Sequence, residues 1–299
     1  MRGEPEQGRG LNISRYRVSH FLMFGPSFHL GNAAGIPIRI HWTFGLLILW
    51  AIGSYFIMSG SVSVAFAGLF FLLVIFGCVI LHELGHSLTA RYFGIETRSI
   101  TLSSIGGVAA LERSPRHWQA ELWITIAGPA VNYVIAALTL PIVLVVAPFS
   151  PVVADPFTTL GNFLFMVFLA NVILGTFNLI PAFPMDGGRI LRALLAARGD
   201  RLTATEVATR VGKVAAVLMG LAGLFVSPLL VIVSIFVFFA GEAERRMVRR
   251  EWEAARSPFR PFDDAIPFEP VSVRNFPTVT SRKSGEPVVI HPRIYPYSS

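Results

Sequence analysis

The chain has a single cysteine, Cys78, in 299 residues. That excludes an internal disulfide framework and a thiolate metal cluster. Charge is scarce as well: Asp, Glu, Lys and Arg make up 14% of the residues while 53% are hydrophobic, and the mean hydropathy is +0.61. A soluble globular domain carries about 25% charged residues, so this composition predicts an integral membrane protein. Lysine is nearly absent, with only Lys213 and Lys283 against 23 arginines, a bias of the kind GC-rich bacterial genomes produce. The formal charge of +7 would suggest nucleic acid in a soluble chain. Here the basic residues cluster between apolar runs, where they set membrane orientation, so no nucleic-acid partner is expected. A removable signal peptide is not expected either. Residues 18–31 are interrupted by His20, Gly25, Pro26 and His29, which leaves the first apolar run as the insertion signal.

What the chain has in abundance is apolar runs of membrane-crossing length, which takes about 20 residues. Four are plain: 41–58, 64–92, 120–146 and 160–180. The stretch 205–240 is too long for one crossing and slightly short for two, but it has Arg210 and Lys213 at one end and Arg245, Arg246, Arg249 and Arg250 at the other. Basic residues belong on the cytoplasmic side, so a hairpin turning at Ser227-Pro228 is expected there, for six spans in all. Both termini and the basic connections then face the cytoplasm. The charge-poor connections face outward.

Between these runs, I-P-I-R-I at 36–40 reads as a short interfacial strand, and T-R-S-I-T-L-S-S-I-G-G-V-A-A-L-E at 97–112 as a membrane-associated β-hairpin turning at Gly106-Gly107. Pro181 and Pro184 end regular helix after the fourth span, the Gly187-Gly188 pair allows unusual turns, and 189–198 reads as a short surface helix. The expected fold is an all-α polytopic membrane protein of six transmembrane helices with that small hairpin. Its parts are an interfacial segment at 1–40, a membrane domain at 41–250 and an extended cytoplasmic tail at 251–299, rich in proline and without helical periodicity.

The second span ends in H-E-L-G-H at 82–86. Residues four apart lie on one helix face, so His82 and His86 can hold one zinc ion through their imidazoles. Glu83 beside them can take a proton from a water and later give it to a leaving amine, the chemistry H-E-x-x-H serves in metal-assisted peptide hydrolysis. Shuffling would produce the motif in roughly 0.7% of trials, so chance explains it poorly. Three ionisable groups in a membrane span are costly unless liganded, which makes function the default. A catalytic zinc takes three protein ligands. Asp186, after the Pro-broken end of the fourth span, is equally a third ligand or the N-cap of the short helix that follows. Both histidines and Asp186 fall at the cytoplasmic ends of their spans.

These residues resemble the site-2 protease family of intramembrane zinc metalloproteases. H-E-L-G-H at 82–86, G-P-A-V-N at 128–132 and N-L-I-P-A-F-P-M-D-G-G-R at 178–189 are similar to that family's three signatures in order, and I-P-I-R-I-H-W at 36–42 to its prokaryotic members. The resemblance implies that Asp186 is the third zinc ligand, that Asn132 holds the scissile carbonyl or its oxyanion, and that the hairpin lies beside the substrate. Read by itself, Asn132 is a polar residue packed near a Gly-Pro kink. No PDZ insertion and no paired CBS pattern is evident, unlike some members. The expected activity is zinc-dependent cleavage of peptide bonds within or near transmembrane segments of other membrane proteins, in the lipid of the cell (inner) membrane. A metal transporter would also bury His and Asp, but between internal repeats, which are not found here. A catalytically inert scaffold would not need Glu83.

Overall fold

The structure, a computed structural model, describes residues 25–104, 106–115, 117–146 and 159–256. The tail expected at 251–299 is described only as far as residue 256. The first 24 residues of the expected interfacial segment also lie outside the described residues.

Helix α1, Trp42–Ser59, starts where His41 lends Nδ1 to Thr43 N and stops at Gly60, whose φ of 64° a glycine adopts without steric cost. Helix α2, Val62–Tyr92, has 31 residues and so runs about 46 Å, well beyond the roughly 30 Å of a bilayer core. The H-E-L-G-H motif lies in its last three turns. Helix α3, Trp118–Val146, contains Pro129 and Pro141, and α4, Leu160–Asn178, is capped by Thr159. Helix α5, Asp186–Ala196, is the short surface helix, three residues longer at its start than expected. Asp200 caps α6, Arg201–Val226, by accepting from Leu202 N and Thr203 N. Ser227 breaks the chain before α7, Pro228–Arg256, where proline opens the helix because its missing N–H would have had no partner there.

Five of these helices, α1 to α4 and α6, are long and apolar enough to cross a membrane. The expected sixth, α7, falls short because Glu242, Glu244 and Arg245 enter after Ala240. Its apolar part of about 13 residues spans roughly 20 Å.

The strands depart further from expectation. Instead of a lone strand and a separate hairpin, β1 (Ser27–Ala33), β2 (Ile36–His41), β3 (Thr97–Ser103) and β4 (Gly106–Leu111) form one sheet in the order β1-β2-β3-β4. The pair β1–β2 is antiparallel and turns at Ala34 and Gly35, both with positive φ. β2 then pairs parallel with β3, Ile38 opposite Ile100 and Ile40 opposite Leu102, across the whole α1–α2 hairpin. A parallel pair requires such a long crossover. Ile36, Ile38, Ile100 and Leu102 are buried. β4 is an outer strand of the sheet and lies against α2.

The helices are inverted relative to a soluble protein. Trp50, Leu138 and Phe225 are 69%, 68% and 91% exposed, whereas Asn132, Asn171 and Arg192 are 0%, 1% and 3% exposed. Lipid solvates the first group. Polar side chains within the apolar layer must pair with one another.

Candidate metal centre

His82 and His86 sit one turn apart on α2, and their rings meet edge to face with centroids 4.7 Å apart. Their Nε2 atoms are 3.1 Å apart, and Asp186 Oδ2 lies 3.2 Å from that of His82 and 3.3 Å from that of His86. The structure thus brings together the three residues singled out as metal ligands. Asp186 is not the helix N-cap: Met185 holds that position and Asp186 begins α5.

The donor set fits a divalent ion. His86 Nδ1 donates to Ile124 O at 2.7 Å and His82 Nδ1 donates to Asn132 Oδ1 at 2.5 Å. With each Nδ1 committed as a donor, both neutral rings present an Nε2 lone pair to the other and to a carboxylate. Three such lone pairs repel unless a cation lies among them. Tetrahedral zinc with ligand bonds near 2.0–2.1 Å would separate its ligand atoms by about 3.3 Å, close to the spacings observed.

Close backbone approach makes room for this cluster. A β-carbon built on Gly128 would fall on His86 Nε2 and against His82 Nε2, so α3 passes the imidazoles only because residue 128 has no side chain. The Gly187-Gly188 pair works the same way rather than by unusual turns. Neither has positive φ, and β-carbons there would strike the backbone of Leu179–Ile180 and Ala182–Phe183. That contact seats the first turn of α5, with Asp186, against the chain leaving α4.

Glu83 points to the sheet. Its Oε2 accepts from Ala109 N at 3.2 Å, and its side chain lies against Gly107. Ala109 N, on the edge of β4 away from β3, is thus turned to the metal cluster's own helix.

Asn132, expected at the scissile carbonyl, is fully buried. Its carbonyl accepts from His82, and its Nδ2 donates to Asn171 Oδ1 at 3.0 Å. Asn171 was missed in the sequence, although an Asn in mid-span was the available signal. Also missed was a buried ion cluster behind the site: Arg192 of α5 reaches Glu121 of α3 through Nε at 2.9 Å and Nη2, and Glu244 of α7 through Nη1 at 2.6 Å. Burial opposes the charge on Arg192, but the two glutamates raise its pKa above the ordinary arginine value. Its guanidinium also lies 5.1 Å from the Phe183 ring centroid. Helix α5, and with it Asp186, is therefore pinned to α3 and α7.

The model of peptidase family M50 matches residues 70–159 and 152–222. A zinc metalloprotease of Methanocaldococcus jannaschii is 42% identical over 226 residues, covering 75% of this chain and 62% of that protein. Rip3 of Mycobacterium tuberculosis is 33% identical over 236 residues, covering 73% and 58%. The chain thus spans roughly three fifths of the length of these curated relatives. Among solved structures, the site-2 protease from Methanocaldococcus jannaschii aligns with a TM-score of 0.52 and 40% identity, covering 74% of this chain and 95% of that one. The matched residues include H-E-L-G-H, the Gly128–Asn132 stretch of α3 and the segment bearing Asp186, and on this footing the chain belongs to peptidase family M50, the family of site-2 proteases.

Proposed function

We propose that this protein is an intramembrane zinc endopeptidase that hydrolyses peptide bonds within or near transmembrane segments of other membrane proteins. The convergence of His82, His86 and Asp186 next to Glu83 carries the reading. These three side chains would hold Zn²⁺, which when bound would polarise the scissile carbonyl and acidify a water molecule. Glu83 takes the proton of the attacking water at its carboxylate and returns it to the departing amine nitrogen.

A helical substrate hides its peptide bonds in internal hydrogen bonds and must be extended before attack. Strand β4, an outer strand of the sheet, offers main-chain groups for that purpose: an unwound segment adding to it lies beside Glu83. In the membrane, α7 completes a sixth crossing with α6, both termini face the cytoplasm and the metal cluster lies towards that side. The support is the placement of Arg91 in the last turn of α2, of Arg98 and Arg113 beyond it, and of Arg245, Arg246, Arg249 and Arg250 at the far end of α7.

The deciding experiment is Glu83→Gln. Glu83 binds Ala109 N and not the cluster's facing nitrogens, so the variant is expected to fold, retain one zinc per chain and trap substrate uncleaved. Positioned proton transfer contributes about 10²–10⁴-fold, and turnover should fall by at least that much. A variant cleaving within a few-fold of the parent rules out the mechanism.

A further inference from the structure

The pair of asparagines behind His82 comes from two helices, Asn132 from α3 and Asn171 from α4, and its hydrogen bonds can run in only one direction. At the far end, Asn171 Nδ2 donates to Val167 O at 2.9 Å and to Cys78 Sγ at 3.4 Å. A backbone carbonyl can only accept, so the amide nitrogen of Asn171 must face it and Oδ1 must face Asn132. Asn132 then has to present Nδ2 to Asn171, at 3.0 Å, and turn Oδ1 to His82. That oxygen can only accept, so His82 carries its proton on Nδ1 and leaves Nε2 as a lone pair aimed at His86 and Asp186.

We propose that Asn171, acting through Asn132, sets the tautomer and ring orientation of His82, and thereby the affinity with which the His82–His86–Asp186 cluster holds a divalent metal ion. His86 is oriented in one step by Ile124 O. His82 has no backbone acceptor at Nδ1, and the two asparagines relay the acceptor character of Val167 O from α4 across α3 to α2. The residues are buried to 0% (Asn132), 1% (Asn171) and 7% (Cys78) exposure, so water does not compete for these bonds. Asn132 and Asn171 are positioning residues: they act on the cluster through His82 and are not among its three facing side chains. The inference rests on the proposed reading that the cluster is the metal site.

The test measures zinc affinity, not activity, by competition between purified protein and a chromophoric chelator, with the Co²⁺ absorption spectrum as a second readout. Removing such an orienting partner typically costs 10–100-fold in metal affinity. Asn132→Leu is expected to lose that much and Asn171→Leu at least about fivefold, each with an altered Co²⁺ spectrum. The double variant should lose no more than Asn132→Leu alone, because Asn171 acts only through Asn132. If Asn171→Leu does not fold, Asn171→Thr serves. Its hydroxyl can make the bond to the carbonyl four residues back that Thr209 makes to Thr205 O, at 2.8 Å, but it is too short to reach Asn132. Thr209→Val, which removes a buried hydroxyl remote from the relay, controls for general loosening and should leave zinc affinity unchanged. Affinity within twofold of the parent for the folded Asn171 variants overturns the proposal. So do losses that add in the double variant, or an equal loss in Thr209→Val. Asp186→Ala separates the two levels: full zinc retention there means the cluster is not the metal site, and both readings fall.

Discussion

Gly128 shows how much of the site depends on one missing side chain. A methyl group at that position would occupy the space where the imidazole lone pairs converge, and moving α3 away would open the close packing of Gly85 of α2 against Ala127 O. Overpacking of this kind costs about 1–3 kcal/mol. Part of it would be relieved by turning the imidazoles away. Gly128→Ala is therefore expected to give folded protein with zinc content well below one per chain, measured by elemental analysis after chelator wash. Full occupancy would mean that the helices separate more easily than the Gly85 contact suggests. Arg192 is the opposite case, a large side chain enclosed by acidic partners on two other helices. Removing one member of a buried ion pair leaves an uncompensated charge and costs about 3–5 kcal/mol. Arg192→Met should lower the thermal midpoint, and zinc retention with it, since α5 carries both Arg192 and Asp186. An unchanged midpoint would show that Glu121 and Glu244 are hydrated.

At the scale of elements, β4 is tied to Glu83, the proposed proton carrier. Residues of an antiparallel strand turn alternate amides to their partner, and the pairing of Ile100 with Ala109 leaves Ala109 N–H facing outward to Glu83. Proline is tolerated in an edge strand when its nitrogen faces away from the ladder. Ala109→Pro should keep the sheet and the zinc while removing that donor. A hydrogen bond to a charged group is worth about 1.5–3 kcal/mol, so kcat/KM is expected to drop roughly 10–100-fold, with Ala109→Gly close to the parent. Equal rates for the proline and glycine variants would mean that the Ala109 N–H bond does not set the position of Glu83.

For the whole molecule, the positive-inside distribution predicts which loops face which compartment. In a Cys78→Ala background, Ser61→Cys and Ser227→Cys should react with a membrane-impermeant maleimide only from outside intact cells. Gly199→Cys should react only after the membrane is opened. Labelling of Ser227→Cys only after opening would mean that α6 and α7 do not form the outward-turning hairpin proposed here.

The long apolar runs were legible because hydrocarbon solvation is a local property. Runs placed at 41–58, 64–92, 120–146 and 160–180 became helices Trp42–Ser59, Val62–Tyr92, Trp118–Val146 and Leu160–Asn178, and Pro228 marked the break before α7. The three side chains that could hold a metal ion were legible for a similar reason: a fixed four-residue spacing and a carboxylate beyond a proline-broken helix are unusual inside an apolar chain. Pairings between distant segments were not legible. The parallel pairing of Ile38 with Ile100, the edge-strand amide at Glu83, the Asn132–Asn171 relay and the Arg192 cluster each join residues more than 20 positions apart. Local composition carries no information about which distant partner satisfies a buried polar group. That choice falls to the packing of helices, since in a low-dielectric interior each donor must meet whatever acceptor the tertiary structure places beside it.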